Sequence, residues 1–397
     1  MRIAYLAPFD LTEAAGHVAH VIGTLRNLIK RGEQITLYAK DCPTELARAL
    51  RFRRVPTPRV PGLTSAAFGA AAAAMLARDW GELDVVYTRY FKSVVLPLLV
   101  AHARRIPTVV EVNASLANER RVNRVAWAAQ QLEMLEDRLV FRSATATIAV
   151  TEAIKRELER TYRPPGKVVV VENGVDSSLY RPMEQRAARI ELGLDVTKMY
   201  VVFAGALQPW QGIVHLVQAA AIAAKSLPTL RLLIIGDGPE RQKALDVALK
   251  LGFGDRVTIT GFVPEEQVVP YLAAADLCVA PYDIQAVDDS EEDKLRYGVR
   301  MSRSPLKVLT YMACGRPIIA SHFAETGAYL ARESAGIATP PNDPQALAAA
   351  LVEVLTRPDW ARSLGNNARR LAVAYHDWDV VVGRYLNVVS EARDATR

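Results

Sequence analysis

Short, continuously apolar runs rich in β-branched residues recur through this chain with helical stretches between them, and no other feature narrows its fold as much. In the first half they cover 2–8, 34–40, 85–89, 108–113, 146–150 and 168–175; in the second, 201–205, 230–236, 256–262, 277–282 and 316–321. A half-exposed strand alternates apolar and polar residues, whereas a strand covered on both faces is apolar throughout. The helical stretches supply the crossovers that parallel strands require. The pattern predicts two α/β domains, each a doubly wound parallel sheet. Over 177–200 it stops, and polar residues and Pro182 intervene. The boundary is expected there, with a first domain over 1–185 and a second over 186–375, their sheets facing each other about a hinge.

Size and composition agree with that division. A chain of 397 residues suits two cores, because single cores stop growing at about 250 to 300 residues. The net charge of +6 favours acidic ligands or an anionic surface. Three cysteines, Cys42, Cys278 and Cys314, lie far apart without CxxC or zinc spacing, as expected in a reducing cytoplasm. The N-terminal apolar run is broken by Asp10 and lacks the longer apolar core of a secretory signal, so a cytoplasmic location is expected.

The most membrane-like stretch, 63–77, is shorter than a span and owes its apolarity mainly to alanine. Before it lies a basic loop with Arg51, Arg53, Arg54 and Arg59. Such a loop fits peripheral contact with a membrane surface or an acidic acceptor, but an alanine-rich helix packed on a sheet is the commoner outcome. No G-x-G-x-x-G fingerprint or Walker loop follows the first strand, which argues against a dinucleotide oxidoreductase or an NTPase. No nucleic-acid partner is expected.

In doubly wound sheets ligands bind beyond the carboxyl ends of the strands, and several loops there carry suggestive residues. Gly16 precedes a helix, where the lack of a Cβ lets a phosphate or sugar approach backbone N–H groups. An ordinary tight turn would also place glycine there. Gly205 ends a strand and Gly212 opens the next helix, with Pro209 and Trp210 stiffening the loop. Gly236, Asp237 and Gly238 end another strand, and the backbone around Phe262 and Val263 is suited to pair with a flat heterocycle. In "SPLKVLTYMACGRPIIAS", 304–321, Ser304 is a good N-cap and Pro305 a good first helical residue. Lys307 then lies in the first turn, where a cation opposes the helix macrodipole unless an anion sits beside it. Snorkelling to solvent is the alternative.

These same stretches carry a family resemblance. "ENGVD" (172–176), "FAGALQPWQGI" (203–213), "IIGDGPER" (234–241), "GFVP" (261–264), "AADLCVAPY" (274–282) and above all "SPLKVLTYMACGRPIIAS" resemble, in order and spacing, retaining glycosyltransferases of family 4 with the GT-B architecture. That architecture is two Rossmann-like domains facing a central cleft. The resemblance implies a nucleotide-sugar donor, UDP- or GDP-linked, held by the second domain. A small-molecule, natural-product or glycan-precursor acceptor is held by the first, and transfer retains the anomeric configuration. "YHDWDVVVGRYLNVV", 375–389, looks like the family's last helices, so a C-terminal helix from about 376 to 397 should complete the first domain.

Carried over residue by residue, the resemblance assigns the diphosphate to Gly16, Gly205, Gln211, Gly212, Leu306 and Lys307. It assigns base and ribose to Gly236, Phe262, Val263 and Thr310, and the sugar to Ser302, Arg303 and Ser304. Asn113 and His17 are the candidates to act at the reacting sugar; His20, one turn on, reads as a packed helix residue. Ala206 and Gln211 stand where many relatives have Arg and Lys, and Ser302 and Thr310 where many have two glutamates. Replacing a charge-assisted contact by a neutral one forfeits about 1 to 2 kcal/mol, which Arg300, Arg303 and Lys307 are placed to restore. No cofactor is expected beyond the nucleotide-sugar co-substrate, and no metal: "DDSEED", 288–293, reads as a solvated insertion, and "DWD", 377–379, lies in the terminal helical segment. Two other functions stay open, a GT-B binding or partner-dependent protein that lost its donor ligands, and another GT-B nucleotide-sugar chemistry.

Overall fold

The computed structural model describes residues 1–13, 16–58, 64–117, 127–283, 306–322 and 326–396. It divides into two compact units, the first built from Met1–Gly174 and Trp378–Arg397, the second running between Val175 and Asp377.

In the first unit the elements are β1 (Arg2–Asp10), α1 (Gly16–Lys30), β2 (Gln34–Asp41), α2 (Thr44–Ala49), β3 (Arg51–Arg54), α3 (Thr64–Asp79), β4 (Val85–Arg89), α4 (Val95–Ala103), β5 (Thr108–Val112), α5 (Trp127–Ser143), β6 (Ala146–Ala149), α6 (Glu152–Thr161) and β7 (Lys167–Val170). The sheet runs β3-β2-β1-β4-β5-β6-β7, parallel throughout. Strand order reverses direction at β1 and β4, so the crevice for a ligand lies beyond their carboxyl ends. The pleat sorts the core by alternate residues: Ile3, Tyr5 and Ala7 of β1 enter one buried cluster, Ala4 and Leu6 the other.

A last helix of the chain, Trp378–Asp394, joins the first of these clusters through Trp378, Val381, Val382 and Tyr385, beside Val21 and Leu25 of α1. Its Trp378 ring fills the space that a Cβ at Gly23 or Gly174 would need, 2.6 and 2.5 Å away. The alanine-rich helix α3 covers the other face, burying Phe68, Ala72 and Leu76.

The second unit holds α7 (Gln185–Glu191), β8 (Met199–Ala204), α8 (Ile213–Ala223), β9 (Leu230–Ile235), α9 (Arg241–Lys250), β10 (Val257–Ile259), α10 (Glu265–Ala274), β11 (Leu277–Ala280), α11 (Leu306–Ala313), β12 (Ile318–Ser321), α12 (Thr326–Arg332), β13 (Ile337–Thr339), α13 (Pro344–Leu355) and α14 (Pro358–Leu371). The helix Trp378–Asp394 of the first unit is α15. Sheet order is β10-β9-β8-β11-β12-β13, again parallel throughout, with its reversal at β8 and β11.

Three differences from expectation have physical causes. Residues 175–185 fall in the second unit, where the Arg369 guanidinium donates to the carbonyls of Ser177 (3.0 Å), Tyr180 (2.9 Å) and Ala313 (2.8 Å). Two edge strands, β3 and β13, had no apolar run to announce them. The supposed basic loop begins as strand β3, and its arginines have partners: Arg51 pairs with Glu82, Arg53 with Asp79 at 3.2 Å, and Arg54 with Asp41 at 2.6 Å. Charged side chains on an edge strand discourage pairing with another chain. Arg59 lies outside the described residues. No helix among the described residues is long and apolar enough to cross a membrane.

Candidate functional site

In the second unit glycines follow the carboxyl ends of three neighbouring strands, Gly205 and Gly212 after β8, Gly236 and Gly238 after β9, and Gly261 after β10. Gly236, after β9, has φ +141°, and a Cβ there would lie 2.0 Å from the Gly205 carbonyl oxygen after β8. The two loops are sewn together by backbone bonds, Gly205 N–H to Ile235 O and Leu207 N–H to Asp237 O, both 2.9 Å. Gly212 closes the turn Pro209–Gln211 and starts α8 with φ +67°; its Cβ would meet the Pro281 oxygen at 1.8 Å. Only glycine satisfies both the left-handed backbone and this approach.

Lys307 comes into this nest from the first turn of α11. Its ammonium stands 4.0 Å from the centre of the Phe203 ring and 5.5 Å from that of Tyr282, and it donates to Gln211 Oε1. A Cβ on Gly205 would be 3.1 Å from Nζ. Burial against these rings, with a neutral amide as hydrogen-bond partner, lowers Lys307 to about 7. Bringing an anion to Nζ would favour the charged form. The Tyr311 hydroxyl, one turn on, accepts from the Ala204 N–H at 2.7 Å and secures the end of β8.

Other predicted residues are placed less centrally. Thr310 spends its hydroxyl on the Lys307 carbonyl at 2.8 Å, inside the helix. Leu306 and Val263 are half-buried, while Phe262 is 67% exposed, beyond the Gly236–Gly261 backbone bridge. Ser302, Arg303 and Ser304, with Arg300, Pro305 and the 288–293 acidic string, lie outside the described residues.

A second cluster occupies the first unit, between α1 and strands β4 and β5. Glu111, fully buried on β5, accepts from His20 Nε2–H at 2.6 Å, the Tyr87 hydroxyl at 2.5 Å and the Asn113 amide at 2.5 Å. Burial alone would raise its pKa. The charge and hydrogen bond of His20, the Arg89 charge and the Tyr87 hydroxyl outweigh that and bring it down to about 2. An ionised carboxylate only accepts, so it fixes the Asn113 amide with NH₂ inward. Asn113 Oδ1 is left buried and without a partner.

His17 packs on Phe9, ring centres 4.5 Å apart, and its backbone oxygen accepts from Arg89 at 3.2 Å. Its pKa is lowered by burial and by the Arg89 charge. Gly16 begins α1, exposed. His20 is a packed helix residue with a specific partner. Sequence reasoning overlooked Glu111, although an acid inside an otherwise apolar strand was visible in "TVVEVN".

The "DWD" carboxylates go separate ways. Asp377 accepts from Ser177 N–H at 3.3 Å, and Asp379 pairs with Lys30 at 2.8 Å. Among the described residues no three His, Cys, Asp or Glu side chains are grouped to hold a metal ion.

Two doubly wound parallel sheets, seven and six strands wide, are the fold of the GT-B class. Two family models divide the chain: residues 14–179 match "Glycosyltransferase Family 4" and residues 198–357 match "Glycosyl transferases group 1". The chain belongs to the family 4, group 1 glycosyltransferases. It is 25% identical to a D-inositol 3-phosphate glycosyltransferase of Thermobispora bispora over 96% of this chain and 90% of that one. Among solved structures it is similar to sucrose-phosphate synthase from Thermosynechococcus elongatus, with a TM-score of 0.79, 23% identity and 99% of each chain covered. Alr3699/HepE of Anabaena, solved in complex with UDP, gives a TM-score of 0.74 at 19% identity, covering 98% of this chain and 100% of that one.

Proposed function

We propose that this glycosyltransferase moves a sugar from a UDP- or GDP-linked donor to a hydroxyl of a small metabolite or glycan precursor, with retention and without a resident metal. The observation that carries the reading is Lys307. Its ammonium is boxed by Phe203 and Tyr282, meets a neutral amide, and stands beside a glycine loop. A diphosphate supplies the missing counter-charge. The UDP bound by HepE and the phosphorylated substrate in the inositol-phosphate relative's name support the donor and acceptor classes.

Departure of the nucleoside diphosphate leaves negative charge on its terminal phosphate. Lys307, the first N–H groups of α11 and the backbone of the loop from Gly205 to Gly212 stabilise that charge. The acceptor hydroxyl attacks on the face from which the phosphate leaves, and a phosphate oxygen takes its proton. In the first unit, Asn113 Oδ1 accepts a hydrogen bond from a hydroxyl and orients the group that carries it. His17, with its lowered pKa, is neutral at pH 7 and serves as a second polar contact.

A second reading, nucleotide binding without transfer, is favoured by one fact: the Thr310 hydroxyl is turned into its own helix. The test is a turnover assay with UDP- and GDP-sugars and a panel of polyol and sugar phosphates, with EDTA in parallel, the product anomer read by NMR. A retained anomer formed with EDTA present supports the proposal; nucleotide binding with no product across the panel supports the second reading.

A further inference from the structure

On α5 the exposed residues with described side chains are Gln131, Leu132, Leu135, Arg138, Leu139 and Arg142. The leucines, at spacing i, i+3, i+7, form one stripe and are 70%, 54% and 45% exposed. Its carboxylates are engaged instead: Glu133 pairs with the exposed Lys92 at 2.6 Å, Glu136 accepts from the Ser93 N–H, and Asp137 is fully buried. Those bonds tie the start of α4 alongside α5. There Leu96 and Leu99, 42% and 44% exposed, add two more leucines, followed by exposed His102, Arg104 and Arg105.

We propose that these faces of α4 and α5 dock on an anionic lipid surface. Packing the two helices on the sheet is complete without these leucines, since Leu98, Ala101, Val140 and Phe141 already fill the core. What remains is an apolar stripe whose exposed charged neighbours on the two helices, among the described residues, are all basic. Leucines of that kind enter the boundary between headgroups and acyl chains while arginines extend to lipid phosphates. Charge also selects against self-association. A two-fold contact through the stripe would bring Arg138 and Arg142 of both copies to one interface, with no exposed carboxylate on either helix to meet them. The arginines of β3 do not serve this role, being engaged by Glu82, Asp79 and Asp41.

The test is sedimentation of the full chain with vesicles of phosphatidylglycerol and of phosphatidylcholine, comparing wild type, L132S/L135S/L139S and R138Q/R142Q. Thermal unfolding of each protein serves as the folding control. Wild type should sediment with phosphatidylglycerol and far less with phosphatidylcholine. The serine variant should lose about tenfold in affinity or more, the glutamine variant severalfold, with unfolding midpoints unchanged. Failure of wild type to bind phosphatidylglycerol, or wild-type binding by the folded serine variant, overturns the proposal. So does a concentration-dependent dimer that the serine substitutions abolish, because a second copy would then own the surface.

Discussion

His20 Nε2 lies 2.6 Å from Glu111 Oε1, and both residues are almost wholly buried. The pair joins α1 to β5 across 91 residues of sequence. Removing one partner of such a pair strands the other without compensation. The carboxylate is held from an ordinary 4.5 down to about 2, so its contribution is present above pH 4.5 and is lost as pH falls towards 2. Glu111→Gln should cost on the order of 3 kcal/mol at pH 7 and flatten the acid limb of the stability profile. Urea midpoints at pH 7, 4 and 3 check this; an unchanged slope between pH 4 and 3 would show that Glu111 is not the group titrating there.

Asn113 owes its orientation to the same carboxylate. Replacing it with alanine removes Oδ1, the buried atom that the carboxylate leaves without a partner. Under the proposed function, kcat should fall about a hundredfold while UDP affinity, measured calorimetrically, stays as in wild type. Unaltered kcat would remove Asn113 from the reaction.

Gly212 sets the loop that opens α8. With φ +67° and a Cβ 1.8 Å from the Pro281 oxygen, alanine has no room. Gly212→Ala should destabilise by about 2 kcal/mol or more and weaken UDP binding. Denaturant titration and a UDP thermal shift read the two effects, and a variant as stable as wild type would contradict the geometry.

Much of the fold was legible in the sequence because a strand covered on both faces declares itself by continuous apolarity. Each of the apolar runs from 2–8 to 316–321 overlaps an observed strand. Strand β3 escaped because an edge strand needs no apolar run, and its Arg-Phe-Arg-Arg read as loop. Strand β13 escaped because three residues, Ile337–Thr339, are too few to show a period. Glycines of the second unit were readable because only that residue fits their backbone. Glu111 was not, because its meaning lies in His20 and Tyr87, distant in sequence and adjacent only once β1, β4 and β5 are paired. Thr310 could be named from its position, but the turn of its hydroxyl onto Lys307 is a property of the folded helix.

Lys307 bears the central claim, and titrating UDP between pH 7 and 9 tests it most directly. With its pKa lowered to about 7 in the free protein, the ammonium loses its proton as pH rises through that value. A bound diphosphate holds the proton on, so binding takes protons up and affinity falls by up to about tenfold per pH unit above 7. Lys307→Met should bind UDP at least about tenfold more weakly at pH 7 and show no such fall. Wild-type affinity in Lys307→Met, with the same pH profile, would contradict the account.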